Sequence, residues 1–370
     1  MGCAIIGCGK SLPALAVAND DLTQLVDTSD EWITTRTGIK SRRVAVEETN
    51  ADLAEAAARQ AMGLVEGGYC EAPIDPESID LVVYSTCTPD VLVPSCAALV
   101  RRRLGLVNAV AFDVNAACSG FIYAMSVAES MMAASAAGVA GAGRRNKVRR
   151  ALVIGSERLT RITNWEDRTT CVLFGDGGGA AVVEWDEGRA GVLATFMKND
   201  DDDANALTCP SAFDSPQPFD VNGVSKEAAV AGDPGNARID EELGVTEAVA
   251  AGRPRQSLFM HGQTIFKFAA SAMGNAIDEV CKRADVDISD VKLIVPHQAN
   301  ERIIKYAAKR CGLPLDRFQV SIGDRGNASS ACVPMALSDA YESGRIQKGD
   351  KVILVAFGGG LTSGAVLYEV

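Results

Sequence analysis

Residues 351–370 read KVILVAFGGGLTSGAVLYEV, an apolar run that enters a glycine-rich turn and leaves as a second apolar run. The same order occurs earlier, where ALVIGSE at 151–157 is followed by FGDGGGAAVVEW at 174–185. Two related α/β halves packed together explain this echo. Chance recurrence in a chain rich in Gly and Val is the alternative. Working outward, short Val-, Ile- and Leu-rich runs at Ile79–Ser85, Ala109–Val114, Ala151–Gly155, Val291–Val295 and Lys351–Phe357 suit buried strands. Gly2–Gly7 reads as a first buried strand. Ala-rich stretches at Asp52–Leu64, Ser119–Ala137 and Arg302–Cys311 read as helices. Thr49 and Asp52 have capping-box spacing at the start of the first. Strands alternating with helices predict a layered α/β protein.

Composition narrows the function. A chain of 370 residues, nearly half of them hydrophobic, can bury a large core and hold more than one domain. No apolar run reaches membrane-helix length, so no membrane association is expected. No basic segment precedes the apolar N-terminus, which argues against a secretory signal. Ile6 stands where a myristoylation motif needs Ser or Thr. The eleven cysteines are scattered, odd in number and without a C-x-x-C pair. Disulfides and a zinc site are therefore not expected, and a reducing cytoplasmic setting is. A net charge of −12 argues against nucleic-acid binding.

Two segments look like insertions, about 133–150 with the basic run RRNKVRR, and about 198–256 with Asp200–Asp203. Four adjacent aspartates lack the spaced ligands and Gly of an EF-hand, so a solvated acidic loop is expected and no metal.

Residues 109–121, AVAFDVNAACSGF, run from a strand through small residues into a helix near Cys118. A thiol at a helix N-terminus gains thiolate character from the helix dipole, and thiolate attacks thioesters. A buried structural Cys is the competing reading. In VKLIVPHQAN, 291–300, His297 follows a buried strand, at the end where α/β proteins place ligand-contacting groups. His261, the other histidine, precedes a helix without such a setting. In GDRGNASSAC, 323–332, Asn327 lies in a turn ahead of a helix, and a simple cap is its bland reading.

DVNAACSGF, PHQAN and GNASSA together resemble β-ketoacyl-acyl carrier protein synthase III, the condensing enzyme that starts fatty acid synthesis. IIGCGKSLP, EWITTRTGIKSRR, GSERL, FGDGGGAA and FGGGLTSG extend the resemblance nearly end to end, the two insertions excepted. It implies a thiolase-like α/β fold, with two duplicated halves in a five-layered αβαβα arrangement, split near 1–190 and 191–370. It implies a homodimer without a resident cofactor, using acyl-coenzyme A (acetyl expected) and malonyl-acyl carrier protein. Cys118, His297 and Asn327 would be catalytic, with backbone N–H groups of Cys118 and Gly359 as an oxyanion hole. A second His in place of Asn327 would mark an elongating synthase, and Glu a hydroxymethylglutaryl-coenzyme A synthase. Trp32, Arg36, Arg168, Gly262, Phe266 and Asn300 match coenzyme A positions. Leu159 and Phe357 match the acyl pocket, with Val93 reaching in from a partner subunit. Arg302, Lys305, Lys309 and Arg310 fall on one helix face and, with Lys267, suit an acidic carrier protein; a solvated face is the alternative. Two rival readings are a polyketide- or quinolone-type enzyme using malonyl-coenzyme A, and a non-catalytic acyl-binding homologue.

Overall fold

The computed structural model describes residues 2–370 apart from 142, 144, 145, 203, 212–218, 221, 222 and 225–233, with backbone alone at 219, 220, 223, 224 and 234–237. The apolar runs form two sheets. The first has the order Val110–Val114, Leu81–Ser85, Arg150–Arg158, Asp176–Asp186, Gly2–Ser11, closed by the short Tyr69–Cys70. The second has the order Val291–Pro296, Lys351–Gly358, Thr362–Glu369, Val192–Asn199.

The two sheets repeat one another. In each, two central strands pair parallel, the next pairing is antiparallel, and the half's first strand joins antiparallel to its last. Where the first sheet has Val110–Val114 beside Leu81–Ser85, the second has a lone parallel bridge from Ile294 to Phe318. The helix starts repeat too. Asn115-Ala116-Ala117-Cys118 and Asn327-Ala328-Ser329-Ser330 each lead through one 3-10 turn into a middle-layer helix. In both turns the Asn Oδ1 accepts the backbone N–H two residues on, at 3.1 and 2.8 Å. The residue that donates has a left-handed backbone in each, Ala117 at φ 45° and Ser329 at φ 47°.

Side-chain packing gives five layers. Asn50–Ala61 and Cys96–Arg103 cover the outer face of the first sheet. Gly120–Ala136 and Cys332–Glu342 lie between the sheets in one core shared by both. Gly262–Ala284 and Glu301–Arg310 cover the outer face of the second. The Gly120–Ala136 helix is apolar around most of its surface, as a helix enclosed by two sheets must be. Thr49 and Asp52 form the expected capping box.

The glycines of FGDGGGAA let helices approach a strand on both faces. A Cβ on Gly178 would lie 2.6 Å from Leu53 O, and one on Gly179 would lie 2.7 Å from Met335 N. Alternate residues of a strand face opposite sides, so one short motif seats a helix on each.

The expected insertions are partly ordinary structure. Residues 133–136 finish the Gly120–Ala136 helix, and Arg150 opens a strand. Arg149 and Arg150 both pair with Glu184, while Arg144 and Arg145 lie outside the described residues. In the second segment, Leu207–Thr208 pairs with Phe259–Met260, and Thr246–Ala250 is helical. Of the aspartate run, Asp200 pairs with Lys198 and Asp202 accepts from Ala206 N; Asp203 lies outside the described residues.

Gly179→Ala forces a Cβ against helix backbone. The expected cost is about 1–3 kcal/mol, read as a lower melting temperature. An unchanged melting temperature would contradict the close approach.

Candidate active site

Cys118 is 7% exposed and sits in the 3-10 turn that feeds the Gly120–Ala136 helix. The glycine turn of the second half presses on it: a Cβ on Gly358 would lie 2.7 Å from Cys118 N. Thr362 Oγ1 donates to Ser119 Oγ at 3.0 Å and ties the same turn. The nucleophile candidate of one half is thus held by the C-terminal strand pair of the other.

His297 extends the Val291–Pro296 strand, its N–H bonded to Val355 O at 2.8 Å. It is 1% exposed, with its ring edge-on to Phe357 at 5.3 Å. Asn327 is 6% exposed and pinned by its backbone, N–H to Leu173 O and C=O to Gly175 N, both at 2.9 Å. Its Oδ1 accepts from Ser329 N. Because a backbone N–H can only donate, that contact fixes the amide's orientation and leaves Nδ2 as a donor for the cavity.

These three side chains, from two sheets and three loops, line one cavity of about 160 Å³ together with Gly262, Phe266, Asn300 and Phe357. His261 is exposed and does not line it. Cys118 also lines a second cavity of about 640 Å³, with Leu159, Phe174, Leu207 and Gly359. The thiol therefore sits where two cavities meet. This divides the expected acyl pocket. Leu159 lines the second cavity, whereas Phe357 lines the first and packs on His297. Val93 lines neither within one chain and is 87% exposed, while its neighbours Val91 and Leu92 form the rim of the second cavity.

Burial governs both titratable groups. It pushes the Cys118 thiol up to about 12, against the opposing hydrogen-bond contribution of Ser329. The helix dipole alone predicts the reverse, but desolvation of a charged sulfur at the junction of two halves is the larger effect. Burial also holds His297 down at about 3, so its imidazole is neutral. Its Nδ1 has no hydrogen-bond partner among the described residues.

The expected coenzyme A residues fall into two groups joined by one contact. Gly262, Phe266 and Asn300 line the thiol cavity. Trp32 is flanked by the Arg36 and Arg168 guanidiniums, 4.6 and 4.8 Å from its ring centre. Asn300 links them. Its Oδ1 caps the Glu301–Arg310 helix, and its Nδ2 donates to Arg36 O at 3.0 Å.

The basic residues are less uniform than their spacing suggests. Lys267 and Arg302 border a surface hollow beside the thiol cavity with Gly262, Gln263 and Phe266. Lys305 pairs with Glu301 at 2.8 Å, and Lys309 is exposed. Arg310 leaves the expected stripe. It turns onto the neighbouring helix, bonding Ser271 O at 2.7 Å and Asn275 at 2.6 Å, and pairing with Asp278.

Sequence reasoning passed over Glu157. This fully buried carboxylate accepts from Thr86 Oγ1, Cys87 N and Thr88 N at 3.1 Å each and from Ser330 Oγ at 2.8 Å. Burial raises its pKa. Within GSERL nothing but its charge inside an apolar run marked it.

The sequence pattern of 3-oxoacyl-[acyl-carrier-protein] synthase III matches residues 112–201, and that of its C-terminal part matches residues 281–370. β-Ketoacyl-[acyl-carrier-protein] synthase III of Clostridium beijerinckii is 40% identical over 365 residues, covering 99% of this chain and 98% of the relative. The crystal structure of 3-oxoacyl-[acyl-carrier-protein] synthase III from Aquifex aeolicus is similar with a TM-score of 0.79 at 38% identity, covering 100% of both chains. The priming β-ketosynthase of the R1128 polyketide pathway is similar with a TM-score of 0.81 at 31% identity, covering 100% of this chain and 96% of its own.

A neutral His297 has a measurable consequence. Between about pH 6.5 and 3 the unfolded chain binds a proton there that the folded one does not, so this residue's contribution to stability falls as pH drops through that window. In a histidine NMR titration, the His297 ring is expected to stay neutral down to pH 5. Protonation near pH 6.5 would contradict its burial.

Proposed function

The chain belongs to the 3-oxoacyl-[acyl-carrier-protein] synthase III family, and on that premise we propose that Cys118, His297 and Asn327 are its catalytic residues. It is an acyl-transferring condensing enzyme that joins an acyl group from coenzyme A to malonyl-acyl carrier protein in the first condensation of fatty acid synthesis. The observation that carries the residue assignment is the single cavity lined by Cys118, His297 and Asn327 together.

In the first half-reaction the Cys118 sulfur attacks the acyl thioester, its proton leaving with coenzyme A as the free thiol. The tetrahedral oxyanion is taken by the backbone N–H groups of Cys118 and Gly359. Malonyl-carrier protein then enters, its C–C bond to the carboxylate breaks, and carbon dioxide departs. The electron pair becomes an enolate whose oxygen is held by the neutral His297 N–H and Asn327 Nδ2. Two neutral donors suit this step: they stabilise the new charge without holding the carboxylate that must leave. The enolate carbon attacks the Cys118 thioester, 3-oxoacyl-carrier protein is released, and the cysteine sulfur recovers a proton.

For coenzyme A, the proposal places adenine at Trp32 between Arg36 and Arg168, and pantetheine along Gly262, Phe266 and Asn300. The stacked guanidiniums and the Asn300–Arg36 contact support it. For the carrier protein, Lys267 and Arg302 border the entrance, with Lys305 in its Glu301 pair and exposed Lys309 farther along the Arg302 helix; Arg310 serves to pack two helices. For the assembly, we propose a homodimer. Val91, Leu92 and Val93 are exposed apolar residues beside the second cavity, and Val110–Val114 is an open sheet edge. A cytoplasmic setting fits eleven unpaired cysteines. No resident metal or cofactor enters these steps.

His297→Ala and Asn327→Asp are each expected to keep Cys118 acylation by acyl-coenzyme A, seen as an acyl mass on the Cys118 peptide. Each is expected to slow condensation about 100-fold or more. Loss of acylation with condensation of a pre-acylated enzyme intact would reverse the assignment. Reversing Arg302 and Lys309 to Glu is expected to raise KM for malonyl-carrier protein several-fold and leave acyl-coenzyme A loading unchanged. Equal loss of both would sink the docking surface.

A further inference from the structure

We propose that Ser329 is a further catalytic residue, whose hydroxyl donates a hydrogen bond to the Cys118 sulfur as the thiolate forms. The inference rests on Cys118 as the nucleophile.

Ser329 is 2% exposed and lines the second cavity beside Cys118. Its hydroxyl has no completed hydrogen bond among the described residues. A buried hydroxyl without a partner is disfavoured, so its presence calls for a cause. The fold does not supply one. The repeated turn places Ala117 at the position of Ser329, with the same backbone, φ 45° against 47°, and the same bond from the preceding Asn. Alanine therefore completes this turn without a hydroxyl. Ser329 also holds an unfavourable left-handed backbone, which fixes where its side chain points.

The hydroxyl and the Cys118 thiol line the same cavity, and no hydrogen bond between them is completed among the described residues before the thiolate forms. Among the groups acting on Cys118, Ser329 supplies the leading stabilisation of the thiolate, against burial and the Glu157 charge, which oppose it. The other titratable neighbours are His297, which shares the thiol cavity, and the Cys87 and Cys332 thiols. His297 is neutral, so none of these brings positive charge to the sulfur. A neutral O–H donor is then the available way to favour thiolate in a site that burial makes hostile to it. Once the sulfur is acylated it accepts hydrogen bonds weakly, so the stabilisation acts on the attacking form.

The test measures the rate of Cys118 alkylation by iodoacetamide from pH 7 to 10, followed by mass spectrometry of the Cys118 peptide. Below the thiol pKa, rate tracks thiolate fraction. Ser329→Ala is expected to slow alkylation and acyl-coenzyme A loading about tenfold at each pH, equivalent to a rise of about one pKa unit, a size that one hydrogen bond to an ionised group can supply. Ser329→Gly removes the hydroxyl and relaxes the left-handed backbone, so it guards against misfolding of the Ala variant and is expected to behave alike. Condensation by enzyme already acylated is expected to change less than threefold, because the bond from the residue-329 N–H to Asn327 remains. Unchanged alkylation in both variants overturns the proposal. Equal loss in both half-reactions also overturns it, marking a disturbed Asn327 turn. Failure of the unaltered enzyme to acylate at Cys118 would instead refute the nucleophile assignment itself.

Discussion

The contact between the Cys118 turn and the Gly358 backbone is the constraint from which the site follows. A side chain at 358 would meet Cys118 N at 2.7 Å, so the halves close on the thiol only because glycine stands there. The closure buries Cys118 and His297 together and leaves one uncharged thiol and one uncharged imidazole. In a dry site, neutral donors act on a developing charge more strongly than they would in water. The same dryness makes the resting thiolate hard to form. The two effects cannot be separated: the burial that serves an enolate opposes the thiolate. Help for the sulfur must then come from groups that add no charge of their own.

Glu157 shows how the halves are held in register around that contact. Its carboxylate collects N–H and O–H donors from residues 86–88, at the end of a first-half strand, and from Ser330 in the second-half turn. No ion pair to it is formed among the described residues, and burial raises its pKa although every one of these bonds favours the ionised form. Residues 86–88 lead into Pro89–Leu92 on the wall of the second cavity, while Ser330 lies three residues after Asn327. One carboxylate therefore couples the cavity wall to the turn that carries the Asn donor.

Much of this was legible in the sequence because strands buried on both faces read as unbroken apolar runs. Four of the five Val-, Ile- and Leu-rich runs fall within two residues of the observed strands at both ends, the fifth, Ala151–Gly155, stops three residues short of Arg158, and the Cys118, His297 and Asn327 turns fall at strand or helix ends as read. What escaped were relations between elements. Helical spacing put Arg310 with Lys309, but a neighbouring helix supplies Asp278 and Asn275 and turns it inward. Dipole reasoning on Cys118 saw its own helix and not the second sheet closing over it. The repeat of Asn-Ala-x-x ahead of both middle helices is short enough to pass for chance. Only matched φ values and matched Asn bonds reveal it as duplication.

On the proposed assignment, the duplication also lets one thiol serve two partners in turn. Cys118 borders a narrow cavity that reaches the Lys267–Arg302 surface and a wider one that opens beside Val91 and Leu92. On the proposed assignment, both thioester donors approach through the first while the acyl chain rests in the second. Coenzyme A must leave before the carrier's pantetheine can enter, because a cavity of about 160 Å³ has no room for both arms. The order of events is then a matter of space. The acyl chain turns away into the wider cavity, the narrow one empties, and the thioester carbonyl carbon stays open to attack from the side by which the acyl group arrived. A single-cavity site would have to hold acyl chain and malonyl thioester on the same face of the sulfur. Two halves meeting at one thiol give it two faces.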